Sequence, residues 1–223
     1  MSKAERMEEL MTESGKLTIA AIDHRGLLKK MLHPEIPEQT SDNEIKEWKR
    51  QMVELLDDKV SGLLIDPIYG RDLVDTRRKC GWILSMEQTG YRGDQQARVT
   101  ELIPNWSVAR AKDMGASGVK LLLYFDPENR ELVKKQYRVA ERVAKECQQE
   151  KIVFLLEPLS YRRTATPYLV ERMVEELKDL PVDIFKLEYP GDQVRCERIS
   201  QKLKIPWVLL SAGADYDTYK LQL

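Results

Sequence analysis

At 223 residues the chain is long enough for one domain with a full core and short for two. Its 36 basic side chains against 37 acidic ones leave no charge excess to recruit nucleic acid or a membrane surface, and its apolar runs are strand-sized, too short to span a bilayer. Cys80, Cys147 and Cys196 form neither a CxxC pair nor a disulfide framework, and Met1–Arg6 lacks the apolar core of a signal peptide, so the expected setting is the cytoplasm.

In chain order, residues 3–14 read as a short amphipathic helix with Met7, Leu10 and Met11, closed by Gly15. Leu17–Asp23 is a strand that ends on an acid, and a loop follows over Pro34–Thr40. Ser41-Asp42-Asn43-Glu44 has capping-box spacing and opens a helix with Ile45, Trp48, Met52 and Leu55 on one face. Val60–Ile65 is a strand ending in Asp66-Pro67, and Trp82–Met86 is another ending in Glu87-Gln88. Asn105–Met114 is a helix stopped by Gly115. Gly118–Tyr124, the most apolar strand, is interrupted by Lys120. Asp126-Pro127 supplies an N-cap and a first-turn proline for a helix reaching Cys147, with Leu132, Val133, Val139, Ala140, Val143 and Ala144 apolar. Ile152–Leu156 ends in Glu157-Pro158, and Thr166-Pro167 begins the next helix. Val182–Tyr189 is a strand with Lys186 in its middle, followed by a helix to about Leu203 and a last strand, Trp207–Leu210, ending in Ser211-Ala212-Gly213.

Short, nearly continuous apolar strands alternating with amphipathic helices indicate a parallel sheet covered by helices. No glycine-rich dinucleotide fingerprint follows the first strand, which counts against an open doubly wound sheet. Polar residues recur at the C-terminal ends of the strands: Asp23, Asp66, Glu87, Glu157, Glu188 and Ser211. Barrel enzymes place their chemistry there. The expected fold is therefore α/β, a TIM (β/α)8-type barrel forming a single domain over residues 1–223. On this expectation the barrel reads as truncated after the seventh strand, with the eighth βα unit not present in this chain.

A lysine inside an apolar strand gives up hydration, a cost of several kcal/mol unless a partner or a lowered pKa compensates. A lysine with a depressed pKa is a nucleophile toward carbonyl carbon. Strand alternation puts Ile184, Lys186 and Glu188 on one face, Lys120, Leu122 and Tyr124 on one face of theirs, and Val153, Leu155 and Glu157 likewise. Two lysines and Glu157 would then converge on one interior. A second ammonium would lower the pKa of Lys186, Glu157 would pair with one lysine and shuttle protons, and Asp23 would serve as a base for a substrate hydroxyl. The plainer alternative is a buried ion-pair lattice that fills a barrel. His24-Arg25-Gly26 could contact an anionic substrate, or could be a solvated loop; Ser211-Ala212-Gly213 could offer backbone N–H groups to a phosphate, or could be an ordinary glycine turn. With two histidines and no HExxH or cysteine-rich spacing, a metal site is not expected.

The motifs Ala21-Ile22-Asp23-His24-Arg25-Gly26, Leu64-Ile65-Asp66-Pro67-Ile68-Tyr69-Gly70 and Glu87-Gln88-Thr89-Gly90-Tyr91 resemble those of the class I tagatose-1,6-bisphosphate aldolases. So do Trp106-Ser107-Val108, Val119–Tyr124, Phe154-Leu155-Leu156-Glu157, Phe185-Lys186-Leu187-Glu188 and Leu210-Ser211-Ala212-Gly213, in family order from about residue 16 to 214. The resemblance implies that Lys186 is the Schiff-base lysine, that Asp23, Lys120 and Glu157 occupy the other active-site positions, and that Ser211 contacts phosphate. It implies a ketose 1,6-bisphosphate as substrate, a small sugar phosphate, and no cofactor. The family commonly has Gln where this chain has His24, which leaves the related sulfofructose-phosphate aldolases open. It also continues through an eighth strand that helps to hold phosphate, which keeps a non-catalytic sugar-phosphate-binding barrel as an alternative. Other Schiff-base enzymes, such as deoxyribose-phosphate aldolases and transaldolases, share the lysine chemistry. Homo-oligomerisation is left open.

Overall fold

The computed structural model describes residues 1–73, 79–88, 99–160 and 167–223. Its strands are β1 (Ile19–Ala21), β2 (Gly62–Ile65), β3 (Gly81–Ser85), β4 (Gly118–Tyr124), β5 (Val153–Leu159), β6 (Ile184–Leu187) and β7 (Trp207–Leu209), and sheet order follows chain order. Its helices are α1 (Lys3–Glu8), α2 (Gly26–Leu32), α3 (Asp42–Leu56), α4 (Val108–Asp113), α5 (Arg130–Glu150), α6 (Pro167–Leu177), α7 (Gln193–Leu203) and α8 (Tyr216–Gln222). The described pairings are all parallel, so each return to the sheet needs a crossover; α-helices supply it in the other connections, while between β2 and β3 the described residues hold only a short 3-10 turn at Arg71–Leu73. This is the (β/α)-barrel pattern through seven strands. Among the described residues no helix is long and apolar enough to cross a membrane.

The chain divides into two compact units, one of Met1–Thr89, Leu102–Lys120 and Glu150–Val153, the other of Gly90–Glu101, Leu121–Gln149 and Phe154–Leu223. In the first, β1 pairs with β2, β2 with β3, and β3 with the start of β4 in the register Ser85↔Lys120. Strands β2 and β3 are buried along their whole length, which is why they read as unbroken apolar runs. The chain after α1 presses on their starting ends: the Gly81 amide donates to Glu9 O at 2.9 Å, and a Cβ at Gly81 would stand 2.7 Å from that oxygen. Helix α1 ends at Glu8, short of the expected boundary, and Gly15 serves a separate turn with φ +74°. Of its side chains Arg6 is the buried one, donating to Ala116 O.

Helix α3 starts where its capping box places it, with the Glu44 amide on Ser41 Oγ and the Glu44 carboxylate on the Ser41 amide. Its buried side chains are Ile45 and Lys49, while Trp48 is half-buried and Leu55 is 52% exposed. The inward stripe is thus rotated from the one the apolar count selects. Helix α2, absent from the sequence reading, is seven residues long and has no side-chain N-cap bond.

In the second unit β5 pairs with β6 and β6 with β7. Helix α5 buries Leu132, Val133, Gln136, Ala140, Val143, Ala144 and Cys147, an i, i+3/i+4 stripe interrupted by one polar residue. Gln136 is satisfied there by Tyr124 O (2.6 Å) and the Thr100 amide (3.1 Å). The helix begins at Arg130 rather than at Pro127: Asp126 Oδ1 accepts from the Glu128 amide, and Asn129 Oδ1 caps the helix through the Leu132 amide at 3.1 Å. Helix α6 buries Leu169, Val170, Met173, Val174 and Leu177, and α7 runs from the Asp192 cap to left-handed Lys204 (φ +54°). The start signal expected for α6 at Thr166 lies outside the described residues. A further short helix, α8, follows β7 after an Asp215 cap.

Candidate active site

Strand-end acids gather around Lys120 in the first unit. Its side chain is 3% exposed, and Nζ lies 3.0 Å from Asp23 Oδ2 and 2.8 Å from Glu87 Oε1. Asp23 stands two residues past β1 and Glu87 two past β3, so the parallel strands deliver both carboxylates at the same end. Charge removed from water demands such pairing, because an unpaired buried ion costs several kcal/mol. Glu87, expected only as a strand-end acid in a motif that could line the barrel mouth, is here a direct partner of Lys120. Its motif continues into Thr89, Gly90 and Tyr91, which lie outside the described residues.

Arg25 is 8% exposed and donates from Nη2 to Glu87 O at 2.8 Å. Its Nη1 is buried with no hydrogen-bond partner among the described residues. His24, between Asp23 and Arg25, has an exposed side chain, and its carbonyl accepts from Lys49 Nζ at 3.0 Å.

Lys49 is the ionisable group that the sequence reading missed. It is fully buried on α3 and pairs with Asp66 Oδ2 at 2.8 Å. Burial pulls its ammonium below the usual lysine range, and the charges of Asp66 and Asp23 oppose that shift. The available signal was its place four residues after Ile45, on the stripe that faces inward.

The second unit holds the other lysine. Lys186, in β6, places Nζ 2.9 Å from Glu157 Oε1 on β5; the two side chains are 15% and 8% exposed. Lys186 therefore keeps a path to solvent and has a carboxylate at hydrogen-bond distance. Just past β6, Glu188 is half-buried and accepts from the Ser160 amide at 3.1 Å. Burial lifts its carboxyl above the usual range against the pull of that amide, and the charge of Glu157 adds to the lift. Ser211 and Gly213 sit in an exposed turn after β7, closed by the Ala214 amide on Ser211 O at 2.8 Å. Gly213 has φ +77°, the left-handed region that favours glycine. Among the described contacts the Ser211 hydroxyl is not bonded to Lys186 or Glu157, and Gly213 has only backbone groups to offer.

A lysine amine beside a carboxylate is equipped for carbonyl addition: the carboxylate can take the ammonium proton, and return it when hydroxide must leave as water. Among the described residues, no group of three or more His, Cys, Asp and Glu is placed to hold a metal ion.

Comparison with known proteins adds the following. A family model described as DeoC/LacD family aldolase matches residues 17–222. A tagatose 1,6-diphosphate aldolase of Staphylococcus aureus is 36% identical over 252 aligned residues, covering 98% of this chain and 77% of the relative. Tagatose 1,6-diphosphate aldolase 2 of Enterococcus faecalis is 30% identical, covering 98% and 76%. Among solved structures, an archaeal fructose 1,6-bisphosphate aldolase aligns with TM-score 0.69 at 20% identity, over 93% of this chain and 79% of that one. A second archaeal fructose-1,6-bisphosphate aldolase, with its catalytic lysine bound to a carbinolamine intermediate, aligns with TM-score 0.71 at 19% identity over 99% and 85%. These two likenesses concern the fold.

Proposed function

We infer, from the premise that the chain belongs to the DeoC/LacD aldolase family, that it is a Schiff-base aldolase with Lys186 as nucleophile and a ketose 1,6-bisphosphate as substrate. The observation that carries this reading is the Lys186–Glu157 pair, a solvent-reached ammonium with a nearly buried carboxylate at 2.9 Å. Glu157 accepts the ammonium proton, and the free amine adds to the substrate C2 carbonyl. Returning that proton to the carbinolamine hydroxyl expels water and leaves an iminium. A carboxylate, Glu157 or Asp23, then removes the C4 hydroxyl proton, and the C3–C4 bond breaks. Its electron pair moves into the iminium, giving an enamine on Lys186 and free glyceraldehyde 3-phosphate. Protonation at C3 and hydrolysis release dihydroxyacetone phosphate and restore the amine.

Asp23 and Lys120 are assigned to the same reaction by chemistry, as charged groups able to polarise substrate hydroxyls. Arg25 suits an anionic substrate oxygen, because one face of its guanidinium is spent on Glu87 O while Nη1 keeps a donor to offer. His24 and the Ser211–Gly213 turn are assigned to substrate binding. The names of the curated relatives favour tagatose 1,6-bisphosphate. The test is cleavage of a substrate panel containing tagatose and fructose 1,6-bisphosphates, sulfofructose 1-phosphate and deoxyribose 5-phosphate. Cleavage of a ketose bisphosphate that survives chelator and is lost in Lys186→Ala is expected. No turnover of any member, or turnover that chelator abolishes, overturns the reading.

A further inference from the structure

The Lys49–Asp66 pair has no task in this reaction, and apolar packing does not require it. A leucine or methionine at position 49 would extend the stripe begun by Ile45 and leave no charge to desolvate. The Lys49 ammonium makes two contacts besides Asp66: it donates to Ile22 O and, at 3.0 Å, to His24 O. Those carbonyls bracket Asp23. The parallel ladder fails at this point. Ile22 N still donates to Leu64 O at 2.8 Å, and continuing the register would give His24 O the Ile68 amide. Pro67 turns the chain instead, and the Ile68 and Tyr69 amides both donate to Asp66 Oδ1 at 3.0 Å. Lys49 Nζ supplies the missing donor, and Asp66 thus both ends the ladder and holds its replacement.

We propose that Lys49 is a positioning residue, whose ammonium fixes the main chain on both sides of Asp23 and so aims the carboxylate that Lys120 holds. This rests on the reading that Asp23 serves the aldolase reaction. The device differs from Lys120, which meets the Asp23 side chain; Lys49 acts through the backbone and at longer range through its charge. Among the described residues, the charged groups around the two include Lys120, Glu87, Asp66 and Arg25. Lys120 at 3.0 Å and, at longer range, the Lys49 charge both favour the ionised form of Asp23, so a carboxylate displaced from Lys120 moves toward protonation.

Lys49→Met alone strands the Asp66 charge in a buried site, so the test uses Lys49→Met with Asp66→Asn, which keeps an acceptor for the Ile68 and Tyr69 amides. Lys49→Gln with Asp66→Asn is the second variant should the first fail to fold. Carboxyl-carbon NMR follows the Asp23 titration, and kcat and KM are measured across pH with the preferred ketose bisphosphate. The double variant removes one positive and one negative charge, so the Asp23 midpoint rises through displacement of its carboxylate from the Lys120 ammonium, and kcat falls by about tenfold or more with a smaller change in KM, as expected for a displaced catalytic group. An Asp23 titration and kcat matching the parent overturn the proposal and leave Lys49 a purely structural pair. The NMR titration reads the same whether or not the parent cleaves sugar phosphates, so failure of the aldolase reading shows separately, as a parent without turnover.

Discussion

Replacing Lys120 with methionine keeps the length of the side chain and removes the cation shared by Asp23 and Glu87. Two charge-assisted contacts, at 3.0 and 2.8 Å, disappear from side chains that are 11% and 6% exposed. Hydrogen bonds to charged groups contribute about 1.5–3 kcal/mol each, and breaking a buried ion pair by removing one partner costs about 3–5 kcal/mol. The expected loss is about 3–5 kcal/mol, a large part of the roughly 5–15 kcal/mol by which a domain is stable. Glu87→Gln in the parent leaves an acceptor for Lys120 but removes the charge from one contact, and costs up to about 1.5–3 kcal/mol. In the Lys120→Met background the same change takes away a stranded buried charge, so it costs little or restores stability. Urea unfolding of the parent, both single variants and the double variant closes the thermodynamic cycle. Strictly additive losses, or a Lys120→Met cost below about 1 kcal/mol, would refute the argument that these three groups form one charge-balanced unit.

At the nucleophile, Glu157→Gln removes the proton acceptor 2.9 Å from Lys186, so kcat falls by about 10²–10⁴-fold with KM less affected; a kcat within about threefold of the parent contradicts the assigned role. For Glu188, whose carboxyl is lifted above 4.5 chiefly by burial, the neutral form is favoured in the folded chain. Its contribution to stability is full below the unfolded value of about 4.3 and is lost as pH rises through the lifted folded value. Glu188→Gln therefore flattens the fall in unfolding free energy above pH 4.5, measured by urea unfolding at half-unit steps; an unchanged slope counts against the burial argument.

Much of this architecture was legible because short-range rules act alone where they succeed. Gly118–Tyr124 is a strand in both the sequence reading and the structure, since an uninterrupted apolar run bounded by turns has few other solutions. The Ser41–Glu44 capping box sets the start of α3 through two bonds within four residues. The misses have physical causes. Asp126 and Asn129 are both competent caps three residues apart, and the structure uses the first for a turn and the second for the helix. The inward face of α3 went to the wrong stripe because Trp48 and Leu55 outweigh a lysine in any count of apolar residues. The lysine that turns inward is held by Asp66 and two carbonyls on distant segments, and no local pattern encodes those partners. For the site, the residue types at strand ends were visible, whereas the contact of Glu87 with Lys120 depends on register between strands 33 residues apart.

The central claim is that Lys186 forms the covalent intermediate, and borohydride reduction in the presence of dihydroxyacetone phosphate tests it most directly. Peptide mass mapping of the reduced protein should find the three-carbon phosphate adduct on Lys186, and none should form in Lys186→Met. An adduct on Lys120 or another lysine, or no adduct in a parent that cleaves its substrate, would contradict the account.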